Sequence, residues 1–276
     1  MEALDDPATL ATLIAALVVA GAAIGYLAGL FGVGGGAISV PVFYEMFGAL
    51  GYPPDIAMPL AVGTSLAVII PTSISSARGH HLRGTLDPAI LRAWAVPVLL
   101  GVILGAVIAR FAPAAVFQAV FVVVATVNAA KLLTGGKGWR LRDTLPGPLA
   151  MRISGMTIGL VSAIMGIGGG AISSLFLTLH GVSIHRAVST SAGVGVLIAI
   201  PGAIGYILAG MGQGGLPPDA VGFVSPAAFA LTIPTSLLTT RFGVALAHRL
   251  THRTLEIAFG SFLLLVAARF VLALVT

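Results

Sequence analysis

Two glycine runs carry the first hint of chemistry. Gly32-Val33-Gly34-Gly35-Gly36-Ala37-Ile38-Ser39 returns as Gly166-Ile167-Gly168-Gly169-Gly170-Ala171-Ile172-Ser173. Each run lies between a long apolar segment and a short one, with no charged residue within several positions. Backbone that breaks a helix there cannot face lipid, where its free N–H and C=O groups go unsatisfied. It must be buried in protein or line a wet cavity. Glycine permits positive φ and a close approach to a ligand. A helix starting at each run would aim its first amides and the positive end of its dipole at that cavity, an anion site that needs no fixed charge. Close helix packing through small residues is the competing use of glycine, but repetition at two helix breaks favours a pore or substrate loop. The candidate contacts are Gly34, Gly35 and Gly36 in the first run, and Gly168, Gly169 and Gly170 in the second.

Hydroxyls repeat with the glycines. Gly63-Thr64-Ser65 returns as Ser189-Thr190-Ser191, each followed by an apolar helix containing a proline, Pro71 or Pro201. Thr64, Ser65, Thr190 and Ser191 are expected to face the same cavity and donate hydrogen bonds to an oxyanion. Ser39 and Ser173 join them on the same logic. Bonding back to their own helix is the alternative use of such side chains.

Other chemistries find little footing. Gly32-x-Gly34-x-x-Ala37 with Asp55 about 20 residues on fits a loose dinucleotide fingerprint. That fingerprint requires a preceding strand and a βαβ unit, whereas a membrane-length apolar run precedes it here. The chain has no Cys, so disulfides and thiolate chemistry are excluded. His80-His81 and His248/His252 sit among basic residues with no accompanying acid, so no metal site is expected. His180 and His185 are candidate proton carriers. Glu45 and Glu256 lie near segment ends, which leaves a carboxylate proton relay or an acidic sodium site unsupported. Lys131 and Arg269, each near a segment end, are expected to snorkel. No catalytic residue and no cofactor is expected.

The elements that must position these residues follow from composition. Of 276 residues, 58% are hydrophobic and 8% charged, against roughly 25% charged in soluble domains. So few charges cannot cover a water-soluble surface. This excludes a soluble enzyme, a disordered chain and an ordinary nucleic-acid binder. The net charge of +5 falls in short clusters between apolar runs, the loop bias of a membrane protein. The acidic start Met1-Glu2-Ala3-Leu4-Asp5-Asp6 lacks the basic region of a signal peptide, so the first apolar run is expected to stay as a helix.

Ten apolar segments are expected. The first half holds Leu10–Phe31, Ala37–Leu50, Ile56–Ala77, Pro88–Phe111 and Ala114–Leu133. The second holds Leu149–Met165, Ala171–His180, Arg186–Ala209, Ala220–His248 and Thr254–Leu274. A crossing helix needs about 20 apolar residues, so the second segment of each half is too short to cross comfortably and reads as a short or re-entrant helix. The segment from Ala220 is long enough to bend at Pro226 or Pro234. The runs do not alternate with period two, which argues against a β-barrel. The expected fold is an all-α integral membrane protein with about eight to ten membrane segments.

Further landmarks strengthen the repeat. Gly105-Ala106-Val107-Ile108-Ala109-Arg110 resembles Gly243-Val244-Ala245-Leu246-Ala247-His248, and Lys131 stands where the second half has Arg269. The repeats are read as residues 1–138 and 139–276 of one membrane domain. Arg78, Arg83 and Arg92 lie at one link, Lys131, Lys137, Arg140, Arg142 and Arg152 at the next, then Arg186, then Arg241, Arg249 and Arg253. These are all but Arg110 and Arg269 of the 14 basic residues. Placing them inside puts the N-terminus, Glu45, Asp55 and Asp219 outside and makes the halves inverted, a construction of many secondary transporters with binding near the midplane.

The chain resembles the TauE/SafE family of membrane permeases. The resemblance rests on Gly29-Leu30-Phe31-Gly32-Val33-Gly34-Gly35-Gly36, Gly63-Thr64-Ser65-Leu66, the basic link His80-His81-Leu82-Arg83-Gly84 and the second glycine run Gly166–Gly170. It covers nearly the whole chain. It implies a multi-pass permease of the inner (plasma) membrane that moves small sulfur-containing anions such as sulfite or organosulfonates. A passive anion channel shares these features, while an intramembrane enzyme and a metal-ion permease lack the required residues. The expected partners are a small anionic substrate and the lipid bilayer, with no nucleic acid.

Overall fold

A computed structural model describes residues 7–31, 36–135, 141–247 and 249–275. These residues form ten α-helices: α1 (Pro7–Phe31), α2 (Gly36–Ala49), α3 (Pro54–Leu82), α4 (Pro88–Phe111), α5 (Ala114–Leu133), α6 (Pro148–Met165), α7 (Gly170–Leu179), α8 (Ile184–Gly210), α9 (Pro226–Ala247) and α10 (His252–Val275). The fold is all-helical, and the β-pairing among the described residues is a lone bridge between Val221 and Val224. Among the described residues, six helices (α3, α4, α5, α6, α8 and α10) are long and apolar enough to cross a membrane.

Local chemistry sets the helix ends. Proline, which lacks the amide that a first turn leaves unbonded, begins α3, α4 and α6. Asp87 caps α4 by accepting from the amides of Ala89 at 2.9 Å and Ile90 at 3.3 Å. Pro226 opens α9 and does not bend it internally, because Val221 donates to the Val224 carbonyl at 2.8 Å in a tight turn just upstream. Gly166 ends α6 in the left-handed region at φ +65°, and the Ile167 amide returns to the Ser162 carbonyl at 3.1 Å. That conformation costs glycine nothing and closes the helix end.

Small residues bring the helices together. α4 packs on α6, where a methyl at Gly101 would strike the Met156 carbonyl and one at Gly159 the Val98 carbonyl. α1 packs on α9 in the same manner, with Gly25 against the Ser236 backbone and Gly243 against Tyr26. Without a hydrophobic drive between helices in lipid, such backbone contact supplies the packing energy.

Contacts at opposite ends give the directions. The end of α3 meets the start of α8, His80 Nδ1 lying 3.0 Å from Ser189 Oγ, while Gly63 near the start of α3 packs on Tyr206 and Phe223. The two helices therefore run antiparallel. So do α5 and α10: Arg253 donates to the Leu132 carbonyl at 2.8 Å, and Phe121 meets Phe270 edge-on at 5.0 Å toward the other end. α4 runs with α6, from Trp94 Nε1 on the Met151 carbonyl at 3.0 Å to Gly105 against Ala163. α3 is the central helix. Residues 57–69 are all buried, whereas Pro71, Ile74, Ser75 and Ser76 beyond them are exposed.

Candidate functional site at the glycine turns

The second glycine turn lies between α6 and α7 and packs into the α2–α3–α8 junction. A side chain at Gly166 would meet Val40 of α2 and the Val62 backbone of α3. Gly168 lies against Ile69 of α3 and, 3.5 Å from its would-be methyl, Gly195 of α8. Gly169, at φ +68°, occupies the N-cap of α7. A methyl on Gly36 would lie 2.8 Å from the Ile167 Cα. The end of the first run therefore touches the second. Gly34 and Gly35 lie outside the described residues.

The serines tie this junction together. Ser39 Oγ and Ser65 Oγ are 2.6 Å apart, and Ser65 donates to the Gly166 carbonyl at 2.7 Å. A first-half hydroxyl thus holds the second-half turn. In the second half Ser173 lies 2.5 Å from the Gly169 carbonyl and 2.9 Å from Ser191 Oγ, which also accepts from Ser174 at 2.8 Å. One Ser173 proton cannot serve both neighbours; given to the Gly169 carbonyl, it leaves Ser191 as the donor to Ser173.

Thr64 and Thr190 accept from partners outside this junction, and they do so reciprocally. Thr64 Oγ1 accepts from the Ser225 amide at 3.0 Å, just before α9. Thr190 Oγ1 accepts from the Asp87 amide at 3.1 Å, just before α4. Each threonine therefore anchors the start of a helix in the other half, and its hydroxyl keeps its own proton to donate. Carboxylates reinforce both junctions. Asp87 pairs with Arg186 at 2.7 Å, and Asp219 accepts from Ser225 Oγ at 2.9 Å and from the Ala227 amide at 3.2 Å.

Ser162 was missed by reading the sequence. Its Oγ is fully buried in α6 without a hydrogen-bond partner among the described residues. It lies 3.1 Å from where a methyl on Gly169 would sit. A buried unsatisfied hydroxyl costs about 1–3 kcal/mol. The available signal was a serine one turn before the glycine break. Lys131 donates to Thr178 at 2.9 Å and Arg269 pairs with Glu45 at 3.0 Å, so both cations are held by polar partners at segment ends. His180 is buried with its Nδ1 2.8 Å from the Phe176 carbonyl.

Taken together, the junction presents the first amides of α7, with Gly168 and Gly170 partly accessible, beside two serine pairs whose protons are engaged, Ser39/Ser65 at Gly166 and Ser173/Ser191 at Gly169. Those amides suit an oxygen-bearing anion. Residues 17–270 match the family described as sulfite exporter TauE/SafE. The chain belongs to that family. A probable membrane transporter protein of Haemophilus influenzae is 34% identical over 93% of this chain and 97% of its own length. One from Methanocaldococcus jannaschii is 27% identical over 91% and 92%. No solved structure matches. A TauE/SafE chain with these relatives and these helices is a multi-pass membrane permease.

Proposed function

We propose that this TauE/SafE chain is a secondary permease of the plasma membrane for small sulfur-containing anions, sulfite or organosulfonates. The anion binds where residues 1–138 and 139–276, acting as inverted repeats, meet. Gly34, Gly35, Gly36, Gly168, Gly169 and Gly170 supply close backbone approach and amides, and Ser39, Ser65, Ser173 and Ser191 supply hydroxyls. Thr64 and Thr190 contribute their remaining protons while fastening each half to the other. The observation that carries this reading is the contact of Gly36 with Ile167 beside the Ser65 bond to Gly166. Two helix breaks that meet between antiparallel central helices supply the fixed site around which halves can rock. The antiparallel pairs α3/α8 and α5/α10 support the inversion. The uncovered half of α3, with Ser75, Ser76 and Arg78 exposed, supports a polar entry from the arginine-rich face, taken as cytoplasmic with the N-terminus outside.

The test is exchange in proteoliposomes of the purified chain. Radiolabelled sulfite should enter saturably and faster when unlabelled sulfite is trapped inside. A non-saturating flux without exchange would identify a channel. Absence of flux for sulfite, thiosulfate and C2 sulfonates would refute the substrate class.

A further inference from the structure

At the end of the bundle where α3 begins, opposite the arginine-rich face, a cavity of about 310 Å³ opens between helix ends. Its lining includes Asp55, Ile56, Arg110, Phe111, Gln213 and Phe223. Asp55 uses one oxygen, Oδ1, to accept from the Ala114 amide at the start of α5 at 2.7 Å. Arg110 uses one nitrogen, Nη1, for the α8 end carbonyls of Ala209 at 2.9 Å and Met211 at 3.4 Å. Both residues are exposed to water and are tethered at one end by backbone. The second carboxylate oxygen and the other guanidinium N–H groups remain for a ligand. Among the described residues the two charges are not ion-paired with each other or with a third residue. Phe223 is buried beneath and packs on Gly63.

We propose that this cavity binds a small zwitterion, with its ammonium group against Asp55 and its carboxylate or sulfonate against Arg110 and Gln213. A simple anion drawn to Arg110 would meet the Asp55 carboxylate, and a simple cation the reverse. A molecule carrying both charges on a short apolar spacer satisfies each and lays the spacer on Ile56, Phe111 and Phe223. The volume sits at the small end of ligand pockets, which limits the spacer to a few carbons. Charge-assisted hydrogen bonds at both ends give the selectivity. The site belongs to one end of the molecule. In the repeated sequence His248 stands in place of Arg110, and counting back nine residues from Thr190, as Asp55 lies from Thr64, reaches Gly181. The proposal stands apart from the cargo at the glycine turns.

The test compares ligands that differ only at the ammonium. β-Alanine against 3-hydroxypropanoate, and 2-aminoethanesulfonate against 2-hydroxyethanesulfonate, are titrated into the purified full chain by calorimetry. The amine of each pair should bind about two- to fivefold tighter, the worth of one ion pair to the water-exposed Asp55. Asp55→Asn, whose amide oxygen still caps α5, should bring each pair to equal affinity. Arg110→Gln should weaken all four ligands. Equal binding of amine and alcohol to the unaltered chain overturns the proposal without any variant. So does a preference that survives Asp55→Asn, which would place the zwitterion elsewhere. The acid that binds tighter tells carboxylate from sulfonate ligands.

Discussion

Ser65 and Ser162 make a matched pair for a decisive measurement, because both are buried serines beside the same glycine turn and both lose only an oxygen on conversion to alanine. Ser65 hydroxyl lies 2.6 Å from Ser39 and 2.7 Å from the Gly166 carbonyl. Hydrogen bonds between helices in a membrane contribute about 0.6 kcal/mol on average and about 1.7 at most. Losing two, with the Gly166 carbonyl left buried, should cost Ser65→Ala about 1–3 kcal/mol. Ser162 has no partner to lose among the described residues. Its removal lifts a desolvation cost, so Ser162→Ala should be neutral or stabilising by up to about 1 kcal/mol. The assay is reversible unfolding in mixed micelles with increasing denaturing detergent, read by circular dichroism, with the unaltered chain alongside. Ser65→Ala should unfold at lower detergent and Ser162→Ala at equal or higher. If Ser162→Ala is the more damaging variant, its hydroxyl has a structural partner and the reasoning from burial fails. If Ser65→Ala costs nothing, the bond joining the halves at Gly166 is not a fastening.

Gly169→Leu should insert and reach the membrane yet carry no flux, since φ +68° disfavours a side chain and Ile198 fills the space beside it; normal vesicle flux would contradict this. Thr64→Val and Thr190→Val keep volume but remove the acceptor for Ser225 and Asp87. Each should lower stability by about 1 kcal/mol and weaken sulfite affinity, measured by unfolding and by the concentration dependence of exchange. Asp87→Asn keeps an oxygen for the α4 cap but loses the pair with the half-exposed Arg186. Its cost should stay below about 1 kcal/mol. Gly101→Val should separate α4 from α6 at the Met156 carbonyl and lower the melting temperature far more than Thr64→Val, Thr190→Val or Asp87→Asn.

Much was determined by the sequence alone. Scarce charge forces the chain into lipid, lipid forces helices, and a glycine run without neighbouring charge belongs inside protein, as the Gly166–Gly169 turn does. Prolines and Asp87 mark helix starts to within a few residues, as at α4 and α5. The family follows from the same motifs. What only tertiary structure decided is who touches whom. Helices apolar on every side have no polar face to point outward, so their period does not reveal an inner face. The threonine and the serine of one dipeptide diverge for that reason. Ser65 turns to Gly166 and Thr64 to Ser225, partners 101 and 161 residues away in the chain. Ser162 was marked in one dimension only by its place one turn before the glycine break, and its lack of a partner is visible only when every neighbour is in place. Asp55 and Arg110, 55 residues apart in number, became one cavity because α3 and α4 run in opposite directions and bring the start of one beside the end of the other.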